Sequence, residues 1–119
     1  MNPSNADAWL TLAKASMEIG DDFSVQAGIH KALDLDPENG SAYLLLGYLH
    51  LRHNELPQAL EAFTKSAQLS TDNSVSMCMV GFTYQRMSQK SEAEKYYRQV
   101  LAVNPKDPLA LQLMASIQQ

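Results

Sequence analysis

The sequence predicts an all-α protein, a solenoid of antiparallel helix pairs, and three observations predict it. A turn-forming tetrapeptide recurs at a fixed interval: "NPSN" from Asn2, "DPEN" from Asp36, "STDN" from Ser70 and "NPKD" from Asn104. Between successive turns lie two stretches whose apolar residues recur at three- and four-residue steps, the spacing of one helical face. One slot of the first stretch always holds glycine or alanine. A period of this length marks stacked supersecondary modules rather than one closed globule. At 119 residues the chain supplies a single such domain, with units over 6–39, 40–73 and 74–107 and a remainder over 108–119.

In the first unit Trp9, Leu12, Ala13 and Ser16 share a face of the first helix, and Val25 and Ile29 share one of the second. The turn "GDDF" joins them, and Gly20 can take the left-handed conformation that closes such a turn. Asp21 and Asp22 stand ahead of the second helix, where negative charge is favoured near the amide-rich end. Pro37 then stops the helix and biases Asp36 toward an extended conformation. The second unit repeats the plan with Tyr43, Leu46, Gly47 and His50, then Ala59, Leu60 and Phe63. Its turn "NELP" offers Asn54 as the closing residue, and Pro57 falls at the start of the second helix, where its missing N–H costs little. The third unit has Met77, Val80, Gly81 and Tyr84, the turn "SQKS", then Ala93 and Tyr97, with Pro105 as the stop. The recurring small residue, Ala13, Gly47 or Gly81, is expected where two helix backbones approach closely.

Over 108–119, "PLALQLMASIQQ" reads as a fourth first helix with Leu111, Met114 and Ala115 in its packing slots. Terminal caps carry a polar outer face, whereas Leu109, Leu111, Leu113, Met114 and Ile117 make this one apolar. The last helix is either a cap or a truncated repeat helix of a segment excised from a longer array; its apolar face favours the second, and Asn2-Pro3 sits where a preceding unit would finish.

The net charge of −4 argues against a nucleic-acid footprint. Charge is uneven: the first unit sets seven acidic against two basic residues, the third five basic against three acidic. No apolar run approaches the roughly 20 residues of a membrane helix, and there is no basic, apolar leader. A single cysteine, Cys78, excludes an internal disulfide and fits a reducing, cytoplasmic compartment. It lies within a helix without a neighbouring histidine, as a small apolar residue rather than a nucleophile. Among the histidines His30, His50 and His53, only the last two are three apart on a helix, and no third ligand accompanies them. His50 therefore reads as a hydrogen-bonded packing residue, and no metal, cofactor or catalytic residue is expected. "NGS" at Asn39 matches a glycosylation acceptor, a short pattern that an intracellular chain would not use.

The spacing Tyr43-x2-Leu46-Gly47-x2-His50 and Ala59-x3-Phe63, with Trp9 and Pro37 from the first unit, resembles the tetratricopeptide repeat family, whose signature is Trp-x2-Leu-Gly-x2-Tyr, Ala-x3-Phe and Pro. Ser16 and His50 replace the large aromatic, Val25 a small residue, and Thr71 the terminal proline. The resemblance implies a right-handed superhelix whose concave face, lined by the first helices, holds a peptide. Candidate partner-binding residues on that lining are Leu10, Lys14 and Met17, then Leu44, Tyr48, Leu51 and Arg52, then Cys78, Phe82, Gln85 and Arg86. Asp7, Glu18, Ser41, Leu45, Val75 and Met79 share the face. Its apolar middle would take an amphipathic helix or an extended apolar peptide, with Arg52 and Arg86 holding acidic groups at the edge. The family's two-carboxylate clamp for chaperone tails would fall on Leu10, Lys14, Leu45, Val75 and Met79; with only Lys14 basic, that clamp is absent. The implied function is a non-catalytic protein-interaction module or scaffold. The alternatives are a self-assembling scaffold, in which the last helix or acidic first unit docks onto a second copy, and a substrate-presenting arm of a larger enzyme. Chaperones of secretion systems and lipoproteins of pilus assembly are similar in architecture, but no residue singles out either.

Overall fold

Each first helix begins just after the recurring tetrapeptide, whose last residue stands at its N-cap. The computed structural model describes residues 5–118, so Asn2-Pro3 lies outside the described residues. Among these there are seven helices and no strand: α1 (Ala6–Glu18), α2 (Asp22–Leu35), α3 (Gly40–Arg52), α4 (Leu56–Leu69), α5 (Ser74–Arg86), α6 (Lys90–Val103) and α7 (Pro108–Ile117). Asn5 Oδ1 accepts the Asp7 N–H at 2.9 Å, Asn39 Oδ1 the Ala42 N–H at 3.1 Å, and Asp107 Oδ1 the Ala110 N–H at 3.0 Å. These side chains satisfy amides that a helix start leaves without partners. Asn73 breaks the series by donating its side-chain amide to the Ala67 carbonyl at 3.2 Å. Of the second helices, α2 has a capping side chain: Asp21 accepts the Ser24 hydroxyl at 2.6 Å and its N–H at 3.2 Å, which lowers its carboxyl below the ordinary value.

The turns within units close by one device. Gly20, Asn54 and Ser88, spaced by the same period as the tetrapeptide, have φ of 80°, 58° and 64°. The next residue's N–H then returns to the last turn of the first helix: Asp21 to Ser16 O at 2.9 Å, Glu55 to His50 O at 2.8 Å, Gln89 to Tyr84 O at 2.9 Å. Gly20 and Asn54 meet the expectation from sequence. Ser88 is the addition, a serine in a conformation that L residues avoid.

The small slot exists for a reason that differs between units. A Cβ at Gly81 would stand 2.6 Å from the Tyr97 ring, and one at Gly47 would collide with the ring of Phe63, so in these units glycine makes room for an aromatic. In the first unit it is a close approach of backbones, Ala13 facing Gly28, where a Cβ would meet the Trp9 carbonyl oxygen at 3.0 Å; at Gly81 the Ala93 carbonyl oxygen, 3.2 Å from an added Cβ, adds to the ring.

Stacking completes each core. Ala42, Leu45 and Leu49 of α3 are buried in one cluster with Leu10, Ala13, Val25, Ile29 and Ala32 of the first unit. The same slots hold Ser76, Met79 and Thr83 on α5, where the Ser76 hydroxyl pairs with Ser66 at 2.7 Å inside the junction. On α7 they are Ala110, Leu113 and Ile117, which pack on α5 and α6. This corrects the expected face of α7. Leu111, Met114 and Ala115 occupy slots that a second helix covers in the other units, and no described helix follows α7. Leu111 is accordingly 47% exposed and Ala115 is exposed, while Met114 reaches the Ala93–Tyr97 cluster.

Gly47→Ala should lower stability by about 1–3 kcal/mol, because the methyl group overpacks against Phe63. Ser88→Gly should raise it by about 0.5–1 kcal/mol by relieving the left-handed serine. Urea unfolding of the two variants beside the parent chain measures both.

Candidate functional site

The side chains predicted to meet a partner stand on α1, α3 and α5 in rows that repeat once per unit: Lys14, Tyr48 and Phe82; Met17, Leu51 and Gln85; Glu18, Arg52 and Arg86. Such rows arise because residues three and four apart share a helix face and stacking places successive first helices side by side. Leu44, Tyr48, Leu51 and Met79 are half-buried, their inner surfaces packed on the Ala59–Phe63–Val80 cluster and their outer surfaces open. The Tyr48 ring meets Phe63 edge-on, centroids 5.5 Å apart at 75°. Phe82 is half-buried with the Arg86 guanidinium 6.0 Å from its centroid. Met17 packs against the first core, and Lys14 is exposed.

Two predicted residues do not line this face. Leu10 is 3% exposed and Cys78 fully buried, because the first helix of the following unit covers each of them. Leu10 joins the cluster containing Ala42 and Leu49; Cys78 packs with Val100 and Ala110. Leu45 is buried with Leu10. Burial pushes the Cys78 thiol up to about 11, so it is protonated at neutral pH and a poor nucleophile.

Three others are engaged within the fold. Arg52 Nη1 donates to the Met17 carbonyl at 2.7 Å and lies 3.6 Å from Asp22 Oδ1, while His53 Nε2 sits 2.8 Å from Asp22 Oδ2. Arg86 Nη2 donates to Asn54 Oδ1 at 2.9 Å. Each arginine reaches back to the unit before it, beside that unit's left-handed turn. Gln85 accepts the Tyr97 hydroxyl at 2.9 Å and donates to Ser116 at 3.0 Å, joining α5, α6 and α7. Asp22, His53 and Asn54, the inter-unit partners, escaped sequence reasoning; their one signal is that Arg52 and Arg86 fall at the same slot of consecutive units. His50 Nδ1 is 3.0 Å from Glu55 Oε1, a half-buried, hydrogen-bonded packing residue as expected. Among the described residues no group of three or more His, Cys, Asp or Glu is placed to hold a metal, and no helix is long and apolar enough to cross a membrane.

Comparison with known proteins places this geometry in context. Family models described as tetratricopeptide repeat match residues 27–74 and 75–107. The cell division cycle protein 16 homolog of Homo sapiens is 26% identical over 110 residues, 92% of this chain and 18% of that protein. The protein O-mannosyl-transferase F38B6.6 of Caenorhabditis elegans is 28% identical over 90 residues, 76% of this chain and 13% of that protein. The chain thus spans less than a fifth of the length of these relatives. Among solved structures, the first TPR of Spaghetti (RPAP3), bound to an HSP90 peptide, superposes with a TM-score of 0.87 at 18% identity, covering 100% of this chain and 97% of that one.

Arg52→Ala should lower thermal stability by about 1 kcal/mol, since it removes a charged hydrogen bond and an ion pair at a half-exposed junction. Arg52→Lys should recover only part of the loss, because an ammonium cannot serve two acceptors in the planar geometry of a guanidinium. Calorimetric midpoints of the three chains measure this.

Proposed function

The chain belongs to the tetratricopeptide repeat family, and on that premise we propose that it is a non-catalytic protein-interaction module that holds a peptide or partner helix against the first-helix face. The carrying observation is a pair of half-buried aromatic side chains at one slot of consecutive first helices, Tyr48 on α3 and Phe82 on α5, with half-buried Leu44 and Leu51 beside Tyr48 on α3. Side chains held by a core at one end and open at the other offer apolar area at little cost in conformational entropy. Tyrosine and phenylalanine in that position are effective anchors.

The partner is apolar or amphipathic. The RPAP3 domain is described with an HSP90 peptide, but here Leu10 and Leu45 of the clamp slots are buried, and Arg52 and Arg86 are tied to the preceding unit. Lys14 is exposed, but with Arg52 and Arg86 engaged it forms no cluster of free cations, and an acidic tail finds little counter-charge to offset its desolvation. A cytoplasmic setting belongs to the same proposal, in keeping with a free, buried Cys78. Two further readings have an observation behind them. The match to an O-mannosyl-transferase favours a substrate-presenting arm within a larger enzyme, and the uncovered Leu111 of α7 favours self-association.

Selection from a peptide library should yield apolar, helix-forming sequences rather than acidic tails. Tyr48→Ala with Phe82→Ala should weaken the selected peptide at least about tenfold without changing helical content. Tight binding of an acidic chaperone tail by the parent chain, or unchanged affinity in the double variant, would contradict the reading. Light scattering across a wide concentration range separates self-association from it.

A further inference from the structure

The three units share one plan but not one set of side chains, and the difference leaves a cavity in the third. Its volume is about 460 Å³, inside the roughly 300–1,000 Å³ of ligand sites. Its walls are the start of α5, the end of α6 and the inter-unit turns on either side. In the second unit Tyr43 takes the inner part of the matching space, and the opening of about 410 Å³ that stays between the turns is lined mostly by polar residues such as Glu38, Asn39 and Ser70. Tyr43, one period before Met77, lays its ring against α4 with Lys65 Nζ 5.6 Å from the centroid. Gly40, one period before Ser74, lets the adjoining turns close until an added Cβ would collide with Ser70 Oγ. The first unit carries Trp9 in the same aromatic slot. In the third unit the slim Met77 packs back toward Val100 and Ala110, Gln99 stands in place of Lys65, and Ser74 puts a side chain where the glycine was. A ring-sized space is the result.

The lining sets the chemistry of what fits. Met77 and Val100 give an apolar floor, and Val103, 89% exposed, an apolar lip. Asp72 and Asp107 bring two carboxylates, and among the described residues no Lys, Arg or His lines the cavity. Asp72 Oδ1 accepts the Ser74 hydroxyl at 3.1 Å and Asp107 Oδ1 the Ala110 N–H at 3.0 Å, which leaves the second oxygen of each outside those bonds. An anion would be repelled by two like charges, whereas a ring with a positively charged donor matches both floor and rim. We propose that this cavity binds a cationic aromatic group, an indole or phenol ring bearing an amine, supplied either by a lysine–tryptophan segment of a partner protein or by a free aromatic amine. The site shares no residue with the first-helix face and does not depend on it.

Amide NMR titrations with tryptamine, N-acetyl-tryptophanamide and indole-3-acetate test this on the whole chain. Tryptamine should bind at least about tenfold tighter than indole-3-acetate, with N-acetyl-tryptophanamide between them and shifts centred on residues 71–77 and 99–107. Ser74→Gly with Met77→Tyr rebuilds the arrangement of the second unit, with a ring over the apolar floor, and should abolish tryptamine binding while leaving the thermal midpoint unchanged or higher. Val103→Ser, at an exposed position that folding does not need, should weaken it several-fold. A capped lysine–tryptophan dipeptide that outcompetes tryptamine marks a protein partner, and the reverse order marks a free amine; both uphold the site. Equal affinity for amine and acetate, binding that survives these variants, or no saturable shift at millimolar tryptamine would overturn it.

Discussion

A pair of helices cannot bury its own apolar stripe, and everything else in this molecule follows from that. Val25 and Ile29 of the first unit are covered only when Ala42, Leu45 and Leu49 of the second are laid over them. Burying a leucine side chain is worth about 1.5–3 kcal/mol, comparable with the net stability of a whole small domain divided among its units. The interface between units is therefore the core, and stability is a sum over neighbours rather than a property of any one pair. The helix α7 shows the rule at its limit: Ala110, Leu113 and Ile117 are packed on the unit before it, while Leu111, facing the side no described helix covers, stays open.

The same constraint fixes which residues can meet a partner. A first helix turns one face to its own second helix and another to the preceding unit, and what remains is a narrow strip. Tyr48 and Phe82 lie on that strip, half-buried, with the Tyr48 ring seated on the core. Leu10 and Cys78, one turn away, are covered by the next first helix. Arg52 and Arg86, at the edge of the strip, are drawn into the junctions, where the carbonyl of Met17 and the amide of Asn54 accept their hydrogen bonds. A charged side chain close to unsatisfied acceptors makes an internal bond unless a ligand offers a better one. This is why the surface is more apolar than its residue types suggest.

Because the units are copies, each serves as a control for the others. Glycine at 47 and 81 admits an aromatic ring, whereas alanine at 13 stands opposite Gly28. The Ser66–Ser76 hydroxyl pair of one junction becomes Val100 against Ala110 in the next. Divergence between slots that share a backbone position is informative about function, since the scaffold is common to many proteins and recognition resides in the side chains grafted onto it. The third unit departs furthest: it lacks the aromatic of the first slot and opens onto an apolar floor of Met77 and Val100 where the second unit sets the ring of Tyr43.

The sequence by itself determined the helices, their pairing and their period. Those features rest on local physics: the i to i+3 and i+4 spacing of Tyr43, Leu46, Gly47 and His50, the capping side chains of Asn39 and Asp107, and the left-handed tolerance of Gly20 and Asn54. Ser88 was not legible because serine has no intrinsic preference for positive φ; the turn imposes it once both helices are docked. Which residue of an apolar strip is buried, where an arginine's guanidinium lands, and whether a space is filled or empty were decided only by tertiary structure. Those outcomes depend on a neighbour a whole unit away in sequence, as with Arg52 and Met17 or Gln85 and Ser116. No local pattern encodes a distance that exists only after the units have stacked.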